Sequence, residues 1–147
     1  MLIAVLAEGV ATAQSGIGYI DAGPGSNSGL AYATLAAGGE LVLGQTVGVG
    51  GEAGAVLSHS SFGYLSLDGS VHILRNAAKG RFDPFITGGY TRAFAIFAGA
   101  NGGNACAGFN YWFTHRFGIR AEFRDMVFSR GLPNVNYWAI RGGIAFR

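Results

Sequence analysis

The chain has 147 residues, half of them hydrophobic and only 12% charged, with a formal charge of +2. This length sets one domain, and its few, scattered cations exclude a nucleic-acid footprint, which needs clustered Lys and Arg. Only Arg75, Lys79 and Arg81 lie close together, and the single cysteine, Cys106, excludes an internal disulfide and any CxxC redox or zinc site.

The N-terminal stretch Met1–Ala7 is apolar and is stopped by Glu8, so no run approaches the roughly 18 residues of a spanning helix. Ala11-Thr12-Ala13 before Gln14 fits an A-x-A processing site. Residues 1–13 therefore read as a signal segment lacking a basic n-region, and residues 14–147 as the mature domain. The remaining route for so apolar a chain to cross a bilayer is a closed barrel, because lipid leaves an open sheet edge unsatisfied. Its 26 glycines are interleaved with Val, Leu, Ala, Tyr and Phe, not with linker residues. In strands, glycine marks bends and close approaches.

From Ser15 onward the dominant period is two, the mark of strands with unlike faces. Eight segments follow in order: Ser15–Ala22, Gly29–Leu43, Val47–Ser58, Phe62–Leu74, Phe85–Phe94, Asn104–Phe113, Phe117–Phe128 and Val135–Phe146. In the second, Leu35, Ala37, Leu41 and Leu43 share a face opposite Thr34, Ala36, Gly38 and Glu40. In the third, Val47, Val49, Ala53, Ala55 and Leu57 oppose Gly48, Gly50, Glu52, Gly54 and Ser58. The fourth sets Leu65, Leu67, Val71 and Ile73 against Ser66, Asp68, Ser70 and His72. The seventh turns Phe117, Ile119, Ala121 and Phe123 away from Arg120, Glu122 and Arg124. The eighth opposes Trp138, Ile140, Ile144 and Phe146 to Tyr137, Arg141 and Gly143.

The polar faces carry Glu40, Glu52, Asp68 and Glu122 against Arg120, Arg124 and Arg141, which nearly cancel. Turned inward, such a set fills a narrow lumen, and glycines beside the long side chains give them room. Buried charge is costly unless partnered, so a charge-balanced interior is expected. Loop lengths set the register. A Gly44–Thr46 loop pairs Glu40 with Gly50 and Glu52 with Gly38; a Thr114–Arg116 loop pairs Asn110 with Arg120, Gly108 with Glu122 and Cys106 with Arg124.

The turns at Gly44–Thr46, Arg75–Asp83 and Thr114–Arg116 fall on the periplasmic side, and Gly23–Ser28, His59–Ser61, Ala95–Gly103 and Ser129–Asn134 on the outside. Aromatics near segment ends are expected to form interface girdles: Phe82, Phe85, Phe113, Phe117 and Phe146 inside, and Tyr32, Phe62, Tyr64, Phe94, Phe97 and Trp138 outside.

Several pieces resemble the outer-membrane β-barrel domain family, whose relatives include the membrane domain of outer membrane protein A. They are Gly38-Gly39-Glu40-Leu41-Val42-Leu43, Phe85-Ile86-Thr87-Gly88-Gly89-Tyr90, Asn110-Tyr111-Trp112-Phe113, Gly118-Ile119-Arg120-Ala121-Glu122-Phe123-Arg124 and Tyr137-Trp138-Ala139-Ile140-Arg141-Gly142-Gly143. The resemblance spans nearly the whole mature chain and specifies fold more than function. It implies an all-β, eight-stranded antiparallel up-and-down transmembrane β-barrel in a bacterial outer membrane, delivered by the barrel-insertion machinery. Family members commonly end on an aromatic; here Phe146 is penultimate and Arg147 follows.

Signals for catalysis are sparse. Ser58-His59-Ser60-Ser61 offers a serine and an imidazole at the outer rim, but a nucleophile also needs a third, orienting group, and no carboxylate lies nearby in sequence. His72 shares a face with Asp68; a metal would require at least one more ligand, so His72 reads as a charge-paired core histidine. Gly48–Ala53 imitates a dinucleotide fingerprint but opens no helix. Eight strands leave an interior filled by side chains, not an aqueous channel.

The expected protein is an integral outer-membrane barrel with a structural or envelope role, binding outer-membrane lipid and requiring no cofactor or metal. Glu40, Glu52, Asp68, His72, Arg120, Glu122, Arg124 and Arg141 are its expected interior charge network. A lipid-acting enzyme at the outer rim and a soluble lipocalin-like barrel are the competing classes. The face that carries the apolar side chains separates the lipocalin from the membrane barrel.

Overall fold

The computed structural model describes residues 13–44, 46–73, 81–95, 98–129 and 134–147. They form eight strands: β1 (Ala13–Asn27), β2 (Leu30–Leu43), β3 (Val47–Leu57), β4 (Phe62–His72), β5 (Phe82–Ala95), β6 (Ala98–Trp112), β7 (Phe117–Ser129) and β8 (Val135–Phe146). Each strand pairs antiparallel with its chain neighbour, and β1 closes on β8, giving an up-and-down barrel with no free edge. The end where β1 begins and β8 finishes is called the lower end below.

Alternation fixes which face is inside. Along β4 and β7 burial alternates residue by residue. Leu67 is 71% exposed on the outer surface, beside exposed Val49, Ile86, Ile140 and Phe123, whereas Glu52, Arg124 and Arg141 are almost completely buried. A lipocalin has the opposite polarity, so the soluble-barrel reading is excluded. The hairpin registers agree with the loop spacing: Glu40 lies opposite Gly50 and Glu52 opposite Gly38, while Asn110, Gly108 and Cys106 lie opposite Arg120, Glu122 and Arg124.

The glycine-rich segments extend β1 and β6 beyond the bounds that the alternation sets. Gly23–Ser28 is not a loop: β1 runs to Asn27 and turns on Ser28-Gly29 alone, both at positive φ (47° and 87°). That is the backbone sense a two-residue hairpin turn demands. Gly23 and Gly25 are there for space, since a Cβ would strike the Ile140 carbonyl at the first and the Tyr32 ring at the second. Ala95–Gly103 is likewise mostly strand, with Ala95 paired to Ala98. Pro84 does not delay β5, because it points outward opposite Phe109 and its carbonyl accepts from Ile73 N at 2.9 Å.

Leu74, Phe97 and most of the Arg75–Asp83 turn lie outside the described residues, as does the proposed signal segment apart from Ala13. The upper girdle is smaller than expected, and in the lower one Tyr111 stands in place of Phe85. Tyr32, Tyr64 and Phe85 are buried inside and Phe62 packs against the interior cluster. The exposed aromatics are Phe82, Tyr111, Phe113, Phe117 and Phe146 at the lower end and Tyr90, Phe94 and Trp138 toward the upper, with Phe123 midway along β7.

Candidate functional site: the barrel interior

The interior is layered. Near the upper end Tyr32, Ala36, Val56, Tyr64, Ala93, Met126, Phe128 and Ala139 make an apolar cluster, with Phe62 and Tyr137 packed against it. The rings of Phe62, Phe128 and Tyr137 meet edge to face at 5.2–6.0 Å, the geometry that aromatic quadrupoles favour. Toward the lower end Ile17, Tyr19, Val42, Trp112 and Ala145 form a second cluster. Charged side chains occupy the space between.

Arg141, on β8, is the hub of that middle layer. Its Nε donates to Glu122 Oε1 at 2.8 Å and its Nη1 and Nη2 donate to the two oxygens of Glu52 at 2.9 Å each. A further Nη2 contact reaches Glu122. The two-oxygen grip on Glu52 is the bidentate form that guanidinium geometry favours. Glu52 also accepts from Tyr64 at 2.8 Å and from Tyr19 at 3.0 Å, which satisfies the lone pairs a buried carboxylate must fill.

Glu122 bridges all three interior arginines: Arg120 at 2.7 Å, Arg141, and Arg124 at 3.6 Å. Arg120 lies between two rings, its Cζ 4.0 Å from the centroids of both Tyr19 and Phe85. Arg124 reaches Glu52 and Asp68 at 3.3 Å each, and Asp68 also accepts from Asn104 at 2.7 Å.

A second group sits lower. His72 does not pair with Asp68: its Nε2 lies 2.6 Å from Glu40 and its Nδ1 2.6 Å from Asp83, while Ser70 donates to Glu40. Each of the two N···O contacts needs one proton, so the group holds two protons among one imidazole and two carboxylates.

Two interior acids escaped the sequence reading. Asp21, on β1, lies 3.3 Å from Arg141 and 3.8 Å from Arg120, and Asp83 is fully buried beside His72. Asp21 shares parity with Ile17 and Tyr19, a signal the alternation of β1 carried but its apolar neighbours masked. Asp83 falls at the end of the expected Arg75–Asp83 turn, whereas β5 begins at Phe82. With them, among the described residues, the interior holds Asp21, Glu40, Glu52, Asp68, Asp83 and Glu122 alongside Arg120, Arg124, Arg141 and His72. Oxygens of Asp21, Glu52 and Glu122 come within 4.8 Å of one another, but all three carboxylates are already paired with guanidiniums of Arg120, Arg124 or Arg141.

At the upper rim Ser58 O accepts from Ser61 Oγ at 2.9 Å, and Ser60 N donates to Ser58 Oγ at 3.2 Å. These bonds close a serine turn, and none of them engages His59.

An eight-stranded closed barrel, apolar outside and charged inside, has the fold of the small transmembrane barrels. No family model matches the sequence, and no curated protein matches it. Among solved structures the chain is similar to the N-terminal β-barrel domain of OprF from Pseudomonas aeruginosa, at TM-score 0.65 and 16% identity over 90% of this chain and 97% of that one. It is similar to Neisserial surface protein A at TM-score 0.67 and 12% identity, covering 89% and 95%. A de novo designed transmembrane β-barrel matches at TM-score 0.63 and 17% identity, covering 89% and 92%. At these identities the likeness is one of fold. That a designed barrel matches about as well as two natural ones underlines that the fold is common to chains of quite different purpose.

Proposed function

We propose that the chain is an integral protein of a bacterial outer membrane with a structural or envelope role, its lumen plugged by side chains. The observation that carries this reading is the polarity of a closed barrel: leucine, valine, isoleucine and phenylalanine are exposed around the outside, and the charges are buried within. A surface of that kind is solvated by lipid, and a barrel is the sheet form lipid tolerates. The family motifs in the sequence and the fold likeness support the outer membrane as the location. Surrounding lipid, and the insertion machinery during assembly, are the partners this implies.

The plug follows from interior width and from bonding. Eight strands leave room for side chains alone, and Arg141 spans from β8 to Glu52 on β3 across the middle. Planar-bilayer recording tests this. Purified protein should insert without a sustained open conductance, whereas a steady porin-sized current would contradict the plugged lumen. Fractionation of cells producing the chain with its own N-terminal segment should recover it in the outer membrane; recovery as a soluble periplasmic or cytoplasmic protein would contradict the location.

A further inference from the structure

Among the described residues, two charges of the strands point outward, Arg92 on β5 and Asp125 on β7. Arg92 is exposed and has no ion pair among the described residues; its guanidinium lies 5.6 Å from the Phe94 ring. An arginine on the lipid face is costly at mid-depth and nearly free at the interface. Arg92 lies three residues from the upper end of its strand, and its cross-strand row continues through Asn101 and Ser129. The row is therefore polar on β5–β7. On the other side the same row runs Leu65, Ala53, Ala37. There small residues leave a groove of about 570 Å³ on the outer surface, floored by Ala37, Gly51 and Ala53 and flanked by Leu67, Phe94 and Arg92 itself.

We propose that this groove is a binding site for an anionic phospholipid of the upper leaflet, one whose phosphate charge is not offset by a cation in its own headgroup. The phosphate pairs with the Arg92 guanidinium, whose fork suits phosphate oxygens, and an acyl chain lies over Ala53 and Gly51. Charge complementarity identifies the occupant: among the described residues Arg92 is the one outward cation of the strands, has no protein counter-ion, and opens directly onto an apolar groove of the lipid face. The inference rests on the reading that this surface faces lipid.

A tryptophan reporter at the groove tests it. In a Trp112→Phe, Trp138→Phe background, Phe94→Trp places the only indole beside Arg92. Quenching by brominated phosphatidylglycerol is compared with quenching by brominated phosphatidylcholine in mixed phosphatidylcholine vesicles. A single arginine near an anionic headgroup favours it by about fivefold. The relative binding constant should therefore be about fivefold in favour of phosphatidylglycerol, fall to near unity in Arg92→Gln, and be reduced but stay above unity in Arg92→Lys, which keeps the charge without the fork. Insertion with equal quenching by the two lipids, or unchanged selectivity in Arg92→Gln, overturns the site alone. Failure to insert into either vesicle overturns the membrane reading and the site with it.

Discussion

Tyr19, Tyr32 and Tyr64 each rest on a glycine of the adjoining strand. A Cβ at Gly38 would strike the Tyr19 ring, one at Gly25 the Tyr32 ring, and one at Gly54 the Tyr64 ring. The glycines are sockets that let a large ring lie flat along a narrow interior and still aim its hydroxyl at a partner: Tyr64 at Glu52, Tyr32 at the Trp138 carbonyl at 2.7 Å. Filling a socket overpacks it. Gly54→Val should destabilise the barrel by about 1–3 kcal/mol, measured by denaturant titration in detergent or liposomes; an unchanged midpoint would mean the ring is not seated there. On the opposite face Leu41 is half exposed. Leu41→Arg should cost about 2–4 kcal/mol if that position lies near the bilayer midplane, and a change below about half a kcal/mol would reverse the face assignment. Single residues were also where sequence reasoning failed. Parity placed Glu40, Glu52 and Arg141 on a polar face because each sits among plainly alternating neighbours, but Asp21 follows Ile17, Tyr19 and Ile20, and Asp83 precedes a proline. Neither context marks the carboxylate as interior without the partner strand.

Strands β7 and β8 carry the densest part of the interior network, with Glu122 directly opposite Arg141. The two are coupled through each other and through Glu52, which Arg141 grips with both terminal nitrogens. Arg141→Met should cost about 3 kcal/mol, because it removes the two-pronged partner of Glu52 and one of the three guanidiniums on Glu122, leaving both buried carboxylates under-compensated. In a double-mutant cycle with Glu122→Gln the effects should fall short of additivity by about 1 kcal/mol or more, whereas strict additivity would show that the residues do not act as a unit. Strand boundaries were legible where hydrophobic alternation is strong, as in β3, β7 and β8. They were misjudged in β1, β5 and β6, where Gly-Pro-Gly, a lone proline and the Ala-Gly run imitate loops. The error has one cause: in an ordinary sheet such residues interrupt strands, whereas here glycine provides clearance for arginine, glutamate and tyrosine, and proline faces outward.

At the scale of the whole molecule the chain inverts the pattern of a soluble domain, with water-seeking groups enclosed and lipid-seeking groups displayed. Fold and polarity were legible because a period-two pattern with one charged face has few closed solutions. The layering was not: aromatic residues near strand ends read as interface girdles, and only the barrel itself separates the inward Tyr32, Tyr64 and Phe85 from the outward Phe94 and Trp138. The two tryptophans turn that distinction into the most direct test. Trp138 is 42% exposed on the outer surface, while Trp112 is 2% exposed inside, with the Arg147 guanidinium 3.9 Å from its ring centroid. In vesicles of brominated phosphatidylcholine, the Trp112→Phe variant, which keeps Trp138, should be strongly quenched, and the Trp138→Phe variant, which keeps Trp112, should retain its emission. Quenching of Trp112 with Trp138 spared would place the charged face toward lipid and contradict the account.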